Sequence, residues 1–124
     1  LSPTPDYIVP IVSHLNLVDA VENAQILWRV RRDLSRWGVD EDQRRDIFER
    51  LGMGRHTPIL SPERQLWIQA RDDTYLRAGV VEQQWADWGE PDILWVNGGH
   101  MTFPLHVGEM TSRIRGHLDA VRRL

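Results

Sequence analysis

The sequence predicts an α/β protein whose second half alternates strands and helices. Two short apolar runs, 65–70 and 92–96, are separated by one amphipathic stretch and followed by another. A strand–helix–strand unit of this length is typical of parallel strands joined by a right-handed crossover. Residues 1–60 show helical periodicity instead, and a stretch rich in Gly and Pro at 52–63 marks the candidate boundary. We therefore expect a helical segment at 1–60 and a βαβα segment at 61–124.

Composition excludes several classes of function. The 124 residues suit one modest core. The net charge of −3, with acids and bases interspersed, gives no basic face for nucleic acid. No apolar run approaches the roughly 18 residues that a membrane span needs, so no transmembrane segment is expected. Cys and Lys are both absent, which excludes disulfides, thiolate sites and a lysine Schiff base within this chain.

The first half begins with an extended segment at 7–9, which Pro10 interrupts. A long helical pattern covers 17–34, with Asn16 as N-cap and Gly38 as the C-terminal stop. Its apolar residues recur at steps of three and four, and they are Leu17, Val21, Ala24, Leu27, Trp28, Val30 and Leu34.

A second helix is predicted from Asp40, where Gln43 three residues later completes a capping box. Gly52 ends this helix. In the second half, helical patterns at about 77–88 and about 104–122 follow the two predicted strands.

The predicted sheet is too small to be complete. Parallel strands this apolar are usually central, with both faces covered and neighbours on both sides. Six Trp residues add to the apolar area that needs burial. The chain also begins at Leu1 rather than Met, so we expect a processed subunit, a trimmed chain or a fragment whose sheet is completed by another polypeptide.

A histidine follows the second predicted strand directly. The run 92–96 leads into Asn97, Gly98, Gly99 and His100. The glycines permit a tight turn at a strand end, and ligands bind at the carboxyl edge of parallel sheets. Imidazole takes up and returns a proton near neutral pH, which suits general acid–base chemistry. A structural loop histidine is the alternative.

Two carboxylates, Asp72 and Asp73, follow the first strand. Like charges in adjacent positions repel, so we expect one to face a site and the other to hold a turn. A carboxylate paired with His100 would fix its tautomer and stabilise imidazolium. The alternative is a pair of turn and cap residues, which is common for Asp.

The remaining candidates carry weaker signals. His106 could line the same site, and the alternative is a surface role at the start of the helix. A metal site formed by Asp73, His100 and His106 is conceivable, but the spacing of these residues matches no zinc signature. Trp28 and Trp37 fall at helical spacings that suit a core or interface, or could line a substrate site. The other histidines without a partner pattern are His14, His56 and His117. The serines, none of which lies in a Gly-x-Ser-x-Gly elbow, are Ser2, Ser13, Ser35, Ser61 and Ser112.

The runs 70–76, 85–88 and 95–100 together resemble the C-terminal end of α/β-hydrolase-fold proteins, and the resemblance covers 65–122. In that family the triad acid and histidine follow successive strands, after the serine. The family usually has a small residue three positions before the acid, as Ala70 is before Asp73, so the resemblance implies that Asp73 is the triad acid and that His100 is the general base. The earlier strands, the oxyanion loop and the nucleophile elbow have no counterpart here.

The resemblance implies a subunit or fragment of a serine-type α/β-hydrolase. Its substrate would be a small ester or other acyl compound, and it would need no cofactor. A companion polypeptide would carry the nucleophile and the rest of the sheet. Residues 1–60 would cover the site, with Trp28, Trp37 and His106 as substrate-binding candidates. The alternative is a non-catalytic α/β interaction module in which Asp73 and His100 are structural.

Overall fold

The computed structural model describes residues 5–13 and 16–124. The second half has the predicted alternation of strands and helices, with β1 at Leu66–Ala70, α4 at Ala78–Asp87, β2 at Asp92–Val96 and α5 at Val107–Val121. The two strands pair in parallel, with Leu66 opposite Asp92 and Ala70 opposite Val96. The α/β class and the parallel pairing predicted from the sequence are therefore confirmed.

The sheet separates two apolar clusters. On one face Trp67 packs with Leu76 and Val81, and the partly buried Trp85 and Trp88 cover them. The opposite cluster is built from Leu66, Ile68, Ala70, Val96 and Met110. Alternate residues of β1 thus face the region of α4 and that of α5, and both faces are covered as a parallel sheet requires.

The extended segment predicted at 7–9 lies against the outer side of β1. Ile8 and Ile11 form parallel bridges to Gln65 and Ile68. Pro10 does not end this pairing, because its carbonyl accepts the N–H of Ile68 at 3.0 Å. The segment ends at Val12, whose φ of +46° is unusual for a β-branched residue. As a result β1 is fully buried between two neighbours, whereas β2 is only half-buried.

The helical segment contains α1 at Leu17–Asn23, α2 at Trp28–Arg36 and α3 at Glu41–Leu51. The prediction of one helix over 17–34 is wrong, because Ala24 is extended and a 3₁₀ turn follows it. Arg31 donates to the carbonyls of Val21 at 2.6 Å and Ala24 at 3.0 Å, which satisfies the end of α1. The apolar spacing continues across this break, so periodicity alone does not reveal it.

The predicted helix caps are confirmed. The Asn16 side chain accepts the N–H of Asp19, and Asp40 and Gln43 form the reciprocal capping box. Gly38 adopts a φ of +84° after α2. The predicted helix over 104–122 begins later, since Phe103–His106 is a 3₁₀ turn that leads into α5.

A buried ion pair ties the three helices of the first half together. The Arg44 Nε of α3 lies 3.1 Å from Glu22 Oε1 of α1, and its Nη1 donates to the Ser35 hydroxyl at 3.1 Å. Two polar contacts join this part to α4 and its preceding turn: Arg77 pairs with Asp19, and the Gln84 amide donates to Gly54 O at 3.1 Å. None of the helices among the described residues is long and apolar enough to cross a membrane.

A buried histidine in α5 makes stability depend on pH. His117 is 9% exposed, and its Nε2 has no hydrogen-bond partner among the described residues. Burial lowers the pKa of His117 below its usual 6.5, and Arg113 lowers it further, against the opposing effect of Asp92. The unfolded chain therefore binds more protons than the folded chain as pH falls through the imidazole range, and stability falls with it.

We expect His117→Gln to flatten this acid dependence, because glutamine does not titrate. The melting temperature measured between about pH 7.5 and about pH 5.5 should fall less in His117→Gln than in the unmodified protein. The control is His56→Gln at an exposed loop position, which should retain the full acid dependence. An unchanged pH slope in His117→Gln would contradict this account.

Candidate active site

The candidate site lies where β1 and β2 end, because parallel strands bring their carboxyl ends to the same edge. His100 Nδ1 lies 2.8 Å from Asp73 Oδ2. The Asp73 side chain is 1% exposed and that of His100 is 30% exposed. The contact that the sequence predicts between these two side chains is therefore present.

Asp73 is held from two directions. Its Oδ1 accepts the backbone N–H groups of Tyr75 at 2.7 Å and Leu76 at 3.0 Å. Its Oδ2 is left to face His100. The two backbone donors and the contact with His100 together occupy both oxygens of this buried carboxylate. In the tautomer that carries its proton on Nδ1, the imidazole donates to Asp73 Oδ2 and its ring lone pair lies on Nε2.

The adjacent carboxylate, Asp72, contacts the loop after β2. Its side chain accepts the N–H of Gly98 at 3.3 Å, and its backbone N–H donates to Gly98 O at 3.0 Å. Asp72 thus joins the two strand-end loops while Asp73 meets the imidazole. The residues themselves predicted that one of the two carboxylates would face a site and the other would hold a turn, and the family resemblance assigned the first place to Asp73.

The turn before His100 is closed by Thr102. The Thr102 hydroxyl accepts the N–H of Gly99 at 2.9 Å and lies 3.2 Å from its carbonyl. A Cβ on Gly98, where φ is +96°, would lie 2.5 Å from that hydroxyl, and one on Gly99 would lie 3.2 Å from Asp72 O. Gly98 is therefore required by conformation and by close approach, whereas Gly99 is confined by close approach to the Asp72 carbonyl alone.

We expect Gly98→Ala to destabilise the protein by about 1–3 kcal/mol, because it adds a clash to a left-handed backbone. Gly108→Ala is the matched control: this glycine lies in the first turn of α5, with nothing within 4 Å of an added Cβ. That change should be neutral or stabilise by up to about 1 kcal/mol. Urea unfolding of both variants checks the prediction, and equal effects would contradict it.

Two rings border the imidazole. Tyr75 meets His100 edge-on, with ring centroids 4.9 Å apart, and Phe103 lies on another side at 6.4 Å. The sequence analysis did not single out Tyr75, Phe103 or Thr102. Only Thr102 carried a local signal, since a threonine three residues after Gly99 can bond back to its backbone.

The three substrate-binding candidates, Trp28, Trp37 and His106, lie in three different environments. Trp28 is 46% exposed and lines a groove with Thr74 and Tyr75, close to the candidate pair. Trp37 is 81% exposed at the end of α2, and no described contact joins it to Asp73 or His100. His106 lies 3.5 Å from Glu109 at the start of α5, which fits the surface alternative. Ser2 and His14 lie outside the described residues.

The described residues contain no group of three or more His, Cys, Asp or Glu that could hold a metal ion. A cleft of about 740 Å³ lies among α1, α3 and α4, and neither Asp73 nor His100 lines it. Polar and charged side chains dominate its wall, so we interpret it as solvated surface.

Comparison with known proteins identifies no matching family model and no curated protein of significant similarity.

Proposed function

We propose that this chain supplies the acid and the histidine of a serine-type α/β-hydrolase. The observation that carries the proposal is the 2.8 Å contact between buried Asp73 and half-buried His100, at the ends of successive parallel strands. Within such a triad the acid orients the imidazole and stabilises its protonated form. The reaction class is proposed by analogy with α/β-hydrolases, and the roles of Asp73 and His100 are proposed from their contact.

In the proposed reaction, a serine of a companion polypeptide, meaning polypeptide outside these 124 residues, attacks the acyl carbonyl carbon. His100 Nε2 takes the serine proton and returns it to the departing alkoxide or amine. Water then attacks the acyl-enzyme and gives its proton to His100, which passes it to the departing serine oxygen. The products are a carboxylic acid and an alcohol or amine.

The outer edge of the segment that pairs with β1 supports a companion polypeptide. Ile8, Pro10 and Val12 use their backbone groups on β1, so those of Val9 and Ile11 point to the opposite side. Within the described residues, no backbone hydrogen bond reaches Val9 or Ile11 from another segment. An unpaired strand edge of this kind is a template for another strand.

The turn after His100 also supports a companion. Met101, Leu105 and Val107 are 79%, 83% and 61% exposed. Apolar side chains concentrated beside a polar site mark an interaction surface more often than free protein surface. The nucleophile would have to approach His100 from a neighbouring polypeptide, and these residues would form part of the contact.

Native mass spectrometry paired with a denaturing mass tests the companion. The proposal expects the 14.5 kDa chain in a complex with polypeptide that carries a serine elbow. A lone monomer that folds cooperatively and hydrolyses no ester would favour a non-catalytic module, in which the Asp73–His100 contact is structural.

A further inference from the structure

We propose that the groove between α2 and the loop after β1 binds the apolar acyl group of a medium-length ester. This inference rests on the proposed function and names the substrate class of the same site. The groove has a volume of about 480 Å³ and is lined by Gln25, Ile26, Trp28, Thr74 and Tyr75. That volume lies within the usual range of small-molecule sites.

Tyr75 connects the groove to the chemistry. Its ring lines the groove and also meets the His100 ring at 4.9 Å. The two residues after Asp73 therefore form one wall, and the 3₁₀ turn before α2 together with Trp28, the first residue of α2, forms the other. A substrate lying along Tyr75 would bring one end to the imidazole, where the acyl carbonyl must be for His100 to act.

The lining of the groove is unusual for this part of the chain. α2 contains four Arg and one Asp, yet none of the described residues that line the groove is charged. Ile26 and Trp28 are 60% and 46% exposed, so apolar surface faces solvent there. An alkyl or aryl group would remove that surface from water.

Trp28 is held in place before any ligand binds. The guanidinium groups of Arg29 and Arg32 lie 5.4 Å and 4.9 Å from its ring centroid. Cation–π contacts of this kind restrict the indole and lower the cost of ordering it on binding. We therefore assign Ile26 and Trp28 as the residues that determine acyl-chain preference.

The test measures binding and hydrolysis separately. Calorimetric titration of the purified protein with sodium octanoate should show saturable binding that Trp28→Ala weakens about tenfold, and Ile26→Ala should weaken it in the same direction. Ile59→Ala, at a position 89% exposed and outside the groove, should leave binding unchanged. The preference of kcat/KM for 4-nitrophenyl octanoate over the acetate should fall in Trp28→Ala and Ile26→Ala alone.

Acyl binding in the groove and hydrolysis by the proposed triad can be refuted separately. Octanoate affinity and chain-length preference that are unaffected by Trp28→Ala and Ile26→Ala would overturn the groove, even if hydrolysis depends on His100. Octanoate binding that depends on Trp28 in a protein without esterase activity would uphold the groove and count against the hydrolase.

Discussion

Replacing His100 by alanine is expected to reduce ester hydrolysis about 10⁴–10⁶-fold, because the proposed reaction then lacks its proton carrier. Asp73→Asn should cost about 10⁴-fold, since an amide keeps the shape but presents an N–H where Nδ1–H needs an acceptor. Both rates should be measured with 4-nitrophenyl octanoate on the complex that contains the companion polypeptide.

His56→Ala is the matched control for His100→Ala, because it removes an imidazole from an exposed position outside the site. Its rate should equal that of the unmodified complex. Assembly of each variant should be confirmed by native mass spectrometry, so that a lost rate is not a lost complex. Hydrolysis that survives His100→Ala in an assembled complex would exclude the proposed triad.

The largest expected effect on stability comes from Trp67→Ala. Trp67, the second residue of β1, is 0% exposed. Its ring lies edge-on to that of Trp88, with centroids 5.4 Å apart, and its Nε1 lies 3.4 Å from Gln65 Oε1. Removing this ring leaves a cavity between the sheet and α4 and should lower the free energy of unfolding by about 3–5 kcal/mol.

Trp37→Ala provides the same chemical change at an 81% exposed position. It should alter the free energy of unfolding by no more than about 0.5 kcal/mol. Urea unfolding of both variants decides the comparison. A loss in Trp67→Ala as small as that in Trp37→Ala would mean that β1 does not form the centre of the core.

The sequence predicted those parts of the fold that local signals control. The capping box at Asp40 and the two apolar strands are written in adjacent residues, and the structure confirms them. The contact of Asp73 with His100 was predictable because strand ends of a parallel sheet share an edge. The sequence analysis missed the end of α1 because the Arg31 side chain of the next helix stabilises it, and no local sequence pattern indicates such a contact.

The groove beside His100 was only partly predictable. Trp28 was a candidate on spacing, but Trp37 had the same signal and lies fully out in solvent. Trp28 begins α2 and shares a groove with Tyr75, whereas Trp37 follows the last residue of α2. The break at Ala24 sets where α2 begins. Tertiary placement therefore decides which of two similar residues can meet a substrate, and periodicity does not contain that information.

Labelling with a fluorophosphonate, followed by mapping of the modified residue, tests the central claim most directly. The proposal predicts a single modified serine in polypeptide outside these 124 residues, within a glycine-flanked elbow, and loss of labelling in His100→Ala. Labelling that is unaffected by His100→Ala, or the absence of any modified serine in the assembled protein, would contradict a triad completed by Asp73 and His100.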